Sequence, residues 1–515
     1  VATDHRWCGR SADRRDTLNA VVTPRTRRPL IERLAAARFA IVSAPAGFGK
    51  TAAIRDALDV GATAPGQHGT ASTVVAWARL GTAFRTDAAT IATGLLEVAR
   101  QLGATGESEV EVEDRDRLGA SAGTRIAAVL DRVVGPSTLV LDDLHLVTTA
   151  LQDEIATILR RWPSETRQLI VSTRGTLSAI AATWPIHEAD AIIAPPDLLL
   201  DDRQIADTLG PDLVGSVGRV AQATGGWALG VDVMQRHLAA DSTDGVERAE
   251  VVLHALIAAE ILPQLAAADL DELMMLSLCD AVRPSVAVRA SLRSTTAGRL
   301  RALADETAFV VADGDVIGLI PIFRQALVKR MTTLDPGAVT PAHLRFAHAW
   351  LDEPATASST SDAVHHLLEA GEFAHAVDVL KQRWGVLYTA SRVDVLVELM
   401  ERIPVRYWAN DAGSALLLGW ANLLVGRGTR ALELIQSPPL RTPAGAAIKR
   451  LVWAQGVWWS TGPAEALQLV AEGRSRLDQL EPGEPFPHMP GNDDGPAFRI
   501  VADGAEIRAR FLLGD

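Results

Sequence analysis

The sequence predicts a multidomain α/β plus α protein: a parallel sheet with its helices first, a mainly helical region next, and stacked helix pairs last. Three observations predict it. Strand-like apolar runs alternate with helix-like segments from about residue 21 to 209, the pattern of βα units. A glycine-rich loop ending in Gly-Lys-Thr joins the first strand of that series to the first helix. Beyond Pro341 three segments repeat one design, a turn glycine followed by Ala and Leu at helical spacing.

The first strand is Phe39-Ala-Ile-Val-Ser43, and the first helix is Thr51 to Leu58. Between them Ala44, Pro45, Ala46, Gly47, Phe48, Gly49, Lys50 and Thr51 form a phosphate-binding loop, with Ala44 where Gly is commoner. Successive backbone N–H groups in such a loop cradle phosphates. Lys50 is expected to reach the β- and γ-phosphates, and the Thr51 hydroxyl to ligate Mg²⁺. Gly47 and Gly49 let the backbone approach an anion, and the helix contributes the positive end of its dipole. The expected cofactors are ATP or ADP with Mg²⁺, and the expected sheet is that of a P-loop NTPase.

The next strand is Thr73 to Leu80. A helix over 88–102, an acidic loop over 106–116 and a helix over 124–133 are expected to follow. Ser137-Thr-Leu-Val-Leu-Asp142-Asp143 is an apolar run ending in two acids, the form of a Walker B strand, expected beside the phosphate loop. Asp142 is the candidate for the Mg²⁺ shell, and Asp143 for orienting or deprotonating the attacking water. A helix over 151–161 precedes the strand Gln168 to Thr173, which ends at Arg174, placed to sense a γ-phosphate or else simply exposed at a strand end.

From Arg203 to about Met331 the pattern is mainly helical. One hairpin, Phe309 to Leu319, turns at Asp313-Gly314-Asp315 and suggests a winged-helix unit near 250–332. The repeat segments are Ala370–Leu380, Val425–Leu434 and Thr461–Leu469, tetratricopeptide-like in design. Trp453, Trp458 and Trp459 either line a groove of this array or belong to its core. A Pro/Gly loop over 481–496 and a helical start over 505–513 leave the array without a closing unit, which predicts either a fragment or a degenerate gene product. The expected domains are a tail over 1–20, the NTPase over 21–209, a helical plus winged-helix-like domain over 210–332, and repeats over 341–515.

Composition narrows the function classes. The net charge is −13 over 515 residues, which argues against general nucleic-acid binding. Cys8 and Cys279 stand alone and far apart, so neither a disulfide framework nor a cysteine zinc site is expected. There is no long apolar run and no secretion signal, so a cytoplasmic protein without a membrane segment is expected. Adjacent His365 and His366 point to different faces of a helix, and His343 and His348 are five apart, so no metal other than Mg²⁺ is expected.

The phosphate loop, Val75-Ala-Trp77, Leu141-Asp-Asp-Leu-His145, the strand ending at Arg174 and Thr224-Gly-Gly-Trp227-Ala-Leu-Gly230 together resemble the large ATP-dependent LuxR-type regulators, a class of signal-transducing NTPases with numerous domains (STAND). The resemblance covers about residues 22–469. It implies a slow regulatory ATPase: ADP holds a closed state, and an inducer at the helical repeats together with ATP promotes self-association. It implies DNA contact only through a C-terminal helix-turn-helix domain absent from this chain. The family commonly has a His before a Pro on the winged-helix side of the nucleotide, where this chain has Ile320-Pro321. The alternative is a helical-repeat scaffold with a structural nucleotide and no DNA-binding role.

Overall fold

The computed structural model describes residues 27–63, 74–79, 133, 135–147, 152–174, 184, 186–240, 244–291, 297–408, 411–436, 443–457, 462–480 and 495–513. The tail over 1–20, the helices expected over 88–102 and 124–133, the acidic loop, Trp458, Trp459 and most of the Pro/Gly loop lie outside them. The chain divides into two compact units, one within residues 1–284 and 295–330, the other within 285–294 and 331–515.

The first unit opens with α1 (Arg27–Ala36), β1 (Phe39–Ser43), α2 (Lys50–Thr63), β2 (Val74–Arg79), β3 (Ser137–Asp142), α3 (Gln152–Arg161), β4 (Arg167–Thr173) and β5 (Ala191–Ile193). The five strands form one parallel sheet in the order β2-β3-β4-β1-β5. β1 and β3 are buried along their whole length because a parallel sheet is covered on both faces. Phe39, Ile41, Leu139, Leu141, Leu169 and Val171 pack on one face with Ile155, Ile158 and Trp162. The expected NTPase sheet is therefore present, and the end of the acid strand lies beside the phosphate loop as expected, Asp142 accepting from the Thr51 hydroxyl. The strand ending in the two acids is not the neighbour of the loop strand; β4 lies between, pairing Ile41 with Val171 on one side and Leu141 with Val171 on the other.

Next come α4 (Asp202–Leu209), α5 (Val217–Thr224), α6 (Ala228–Ala240) and α7 (Gly245–Leu256). α4 starts where Asp201 accepts from the Gln204 backbone and Gln204 returns the bond, a capping box. A single π-turn, Ile257–Ile261, closes α7. Then follow α8 (Ala267–Leu276), β6 (Ala281–Val282), α9 (Pro284–Ala290), α10 (Ala297–Thr307), β7 (Val310–Asp313) and β8 (Val316–Leu319). The three strands form an antiparallel sheet, β6-β8-β7, and the chain order is that of a winged helix. Most of α9 groups with the second unit.

The second unit takes in most of α9, the end of α11 (Pro321–Leu334), then α12 (Pro336–Leu351), α13 (Ala357–Glu369), α14 (Phe373–Thr389), α15 (Val393–Glu401), α16 (Ala412–Leu424), α17 (Gly428–Gln436), α18 (Pro443–Val457), α19 (Pro463–Asp478) and α20 (Gly495–Leu513). Helical faces of Leu, Val, Ala and Trp from successive helices merge into one core running from Ala347 to Ala505. The three turn glycines read from the repeats, Gly371, Gly426 and Gly462, all have positive φ. No helix among the described residues is long and apolar enough to cross a membrane.

Candidate functional site

β1, β3 and β4 are parallel, so their carboxyl ends open on the same edge of the sheet, where ligand crevices of such sheets lie. Gly47, Gly49, Lys50, Thr51, Asp142, Asp143 and Arg174 line a cavity of about 410 Å³ there. Every residue proposed from the sequence to hold phosphate or Mg²⁺ lies in the loop over 44–51 or at the end of β3 or β4.

The loop is held from below and from the side. Gly47 and Gly49 take φ of 78° and 76°. Phe48 points away from the cavity into the core, with its ring 5.2 Å from that of Phe309. The Lys50 ammonium donates to the carbonyls of Ala44 (2.8 Å) and Pro45 (3.0 Å), so it is curled under the loop. Burial, and secondly the charge of Arg174, push it down to about 8 against the pull of Asp143 and Asp142.

The acids meet the loop through one hydroxyl. Ser172, on the intervening β4, donates to Asp142 Oδ1 and accepts from the Asp143 backbone N–H at 3.1 Å. The second Asp142 oxygen accepts from the Thr51 hydroxyl at 3.4 Å. Asp142 is almost fully buried, while Asp143 is partly open to the cavity in a left-handed conformation (φ 66°) that brings its carboxylate beside Arg174 Nε at 3.8 Å. His145 lies 3.9 Å from the same carboxylate oxygen. Desolvation is the main influence on that imidazole and pushes it down to about 4, leaving it neutral at pH 7. The hard oxygens of Thr51 and Asp142, fixed side by side, suit Mg²⁺ in donor type and spacing.

The Gly-Gly-Trp segment forms part of the loop's support. The Trp227 indole donates to the Ala46 carbonyl (3.3 Å), and the Leu229 N–H donates to the Gly47 carbonyl (2.9 Å). A Cβ on Gly47 would stand 2.7 Å from Leu229 Cβ, so glycine is required there for space as well as for its positive φ. Trp227, Phe48 and Phe323 all surround the Phe309 ring at centroid distances of 4.7–5.4 Å. Ile320, at the position where the resembled family has His, is buried against Gly225 and has no polar group to offer a nucleotide.

Sequence reasoning missed three participants. Ser172 was signalled only as a polar residue closing an apolar strand. Glu260 approaches Arg174 Nη1 at 3.5 Å from the π-turn, and no local pattern announces it. Strand β5 is only three residues long and merges with the loop around it.

No known family model matches this chain. Curated proteins similar to it include a serine/threonine-protein kinase PknK from Mycobacterium tuberculosis and its namesake from Mycobacterium bovis, each 28% identical over 177 residues. That match covers 32% of this chain, which spans only 15% of the length of those relatives. Among solved structures, a Pyrococcus horikoshii STAND protein with a tetratricopeptide repeat sensor is 13% identical, with 96% of this chain and 68% of that one covered at a TM-score of 0.35. The Aeropyrum pernix ORC1 protein, solved in complex with DNA, is 19% identical, with 61% and 92% covered at a TM-score of 0.29. The fold is defined by this chain's own strand order and phosphate loop: a P-loop NTPase sheet followed by helical repeats.

Proposed function

We propose that this protein is a nucleotide-dependent switch that binds ATP and ADP with Mg²⁺ and hydrolyses ATP slowly. The observation that carries this reading is the convergence of Thr51 and Asp142, 3.4 Å apart, at the mouth of the cavity that also holds Lys50 and Arg174. In the proposed site the N–H groups of the loop over 44–51 bind phosphate oxygens, and Lys50 leaves the Ala44 and Pro45 carbonyls to bind them too. Ser172 and Thr51 orient the Asp142 carboxylate. When bound, Mg²⁺ offsets phosphate charge and orders the phosphate chain. Asp143, beside the same cavity, positions or deprotonates the attacking water, and Arg174 senses the γ-phosphate.

The wider reading is that this switch is the sensor part of a LuxR-type transcription regulator. An inducer of small-molecule or protein nature would bind the helical repeats, ATP binding would drive self-association, and DNA would be contacted only by a further C-terminal domain. It rests on the motif resemblance together with the coexistence of the P-loop sheet and the repeat array in one chain.

The test is nucleotide binding and turnover on purified protein. Wild type is expected to bind ADP and Mg²⁺-ATP and to release phosphate slowly. Lys50→Ala is expected to lose binding, and Asp143→Asn to keep binding while losing most turnover, commonly 10²- to 10⁴-fold for a general base. Binding with no turnover in wild type would point instead to a repeat scaffold carrying a structural nucleotide. No binding at all would sink the nucleotide reading.

A further inference from the structure

Arg174 is held by charge on two sides, yet its donors are poorly used. Nε stands 3.8 Å from Asp143 and Nη1 3.5 Å from Glu260, both longer than the 2.7–2.9 Å of a charge-assisted hydrogen bond. Nε is buried without a hydrogen-bond acceptor. A phosphate oxygen would satisfy these donors better than either carboxylate does here.

Glu260 approaches Arg174, one of the residues lining the cavity, from a local backbone feature. Pro263 has no N–H to donate, and its ring crowds the carbonyl four residues earlier, at Ala259. The helix widens just ahead of it, with Leu262 N–H donating to the Ile257 carbonyl in a π-turn. Ile257, Ile261 and Leu262 are buried and anchor that turn, and the Gln264 amide ties back to the Glu260 carbonyl. The Glu260 side chain is left half exposed and facing Arg174. π-turns of this kind recur at functional positions.

We propose that Glu260 sets the preference of the site for diphosphate over triphosphate, its carboxylate competing with the γ-phosphate for Arg174. The inference rests on reading the cavity as a nucleotide site. A γ-phosphate that captures the Arg174 fork releases Glu260, and with it the π-turn at the end of α7. A diphosphate brings no competing group and leaves the Arg174–Glu260 pair intact. The pair thereby reports the third phosphate to the helical region, a role that a contact confined to the sheet cannot perform.

The experiment is titration of the wild-type chain, Glu260→Gln, Arg174→Ala and the double variant with Mg²⁺-ADP and a non-hydrolysable Mg²⁺-ATP analogue, with thermal melts to verify folding. Glu260→Gln is expected to shift the ratio of triphosphate to diphosphate affinity about three- to fivefold toward triphosphate, the worth of a half-exposed ion pair. In the Arg174→Ala background the same substitution is expected to leave that ratio unmoved. An unchanged ratio in Glu260→Gln, or an equal shift with Arg174 absent, overturns the inference while leaving the nucleotide site standing. Failure of wild type to bind either nucleotide overturns both.

Discussion

The site holds a buried cation at Lys50. Its ordinary value of 10.5 is pushed down to about 8, and that difference corresponds to roughly 3 kcal/mol of stability forgone at pH 7. The sign follows from proton binding: the unfolded chain holds the Lys50 proton up to 10.5, the folded one only to about 8, so this contribution improves as pH rises between them. Two outcomes are expected. Lys50→Met should melt no lower than wild type without nucleotide, and added ADP should no longer raise its Tm. In wild type, nucleotide affinity should weaken above pH 8, approaching tenfold per pH unit, since the phosphates then have to recruit a proton to Lys50. Isothermal titration from pH 7.5 to 9.5 checks this, and a flat profile would show that Lys50 keeps its proton across that range.

At the scale of elements, the phosphate loop is shaped by a segment distant in sequence. Trp227 and Leu229 bond to the carbonyls of Ala46 and Gly47, so α6 and the loop are built as one piece. Trp227→Phe keeps an aromatic ring for the edge-to-face contact with Phe309, removes the indole donor and trims some buried ring volume. Nucleotide affinity is expected to fall about fivefold, the net worth of about 1 kcal/mol for one hydrogen bond, with secondary structure unchanged by circular dichroism. Gly226→Ala is a harsher change. Its φ is 81°, and a Cβ would stand 2.4 Å from the Leu200 carbonyl oxygen, so loss of soluble, cooperatively melting protein is expected.

The helix pair α12–α13 carries a different dependence. His343 and His366 share a hydrogen bond between their Nδ1 atoms at 2.8 Å, one neutral ring donating and the other accepting. Burial lowers both below 6.5, and His365 and His343 push His366 further down. The unfolded chain therefore binds more protons as pH falls below 6.5, and stability falls with it. The acid limb of the stability–pH profile should be flatter in His366→Leu. An identical limb would show that the pair is uncoupled from acid unfolding.

At the scale of the molecule, the proposed switch predicts assembly that depends on the third phosphate. Light scattering with a non-hydrolysable ATP analogue should show a larger species than with ADP, and Lys50→Ala should stay at the ADP size in both. If the sizes coincide for wild type, self-association is not the output of this site.

The phosphate loop, the acid pair after an apolar strand, the Thr-Arg strand end and the turn glycines of the repeats were all legible in the sequence. Each is a local requirement: a backbone that must approach an anion, a strand that must be buried, or a turn that must take positive φ. What only the tertiary structure decided was which distant residues meet them. β4 inserts between the loop strand and the acid strand, so Ser172 becomes the link between Asp142 and Asp143. Trp227 closes on the loop from 181 positions away in the chain, and Glu260 faces Arg174 from the π-turn just ahead of Pro263. Periodicity and turn chemistry act over a few residues and can be read along the chain, whereas strand order and the partner of a charged side chain are settled by the packing of whole elements.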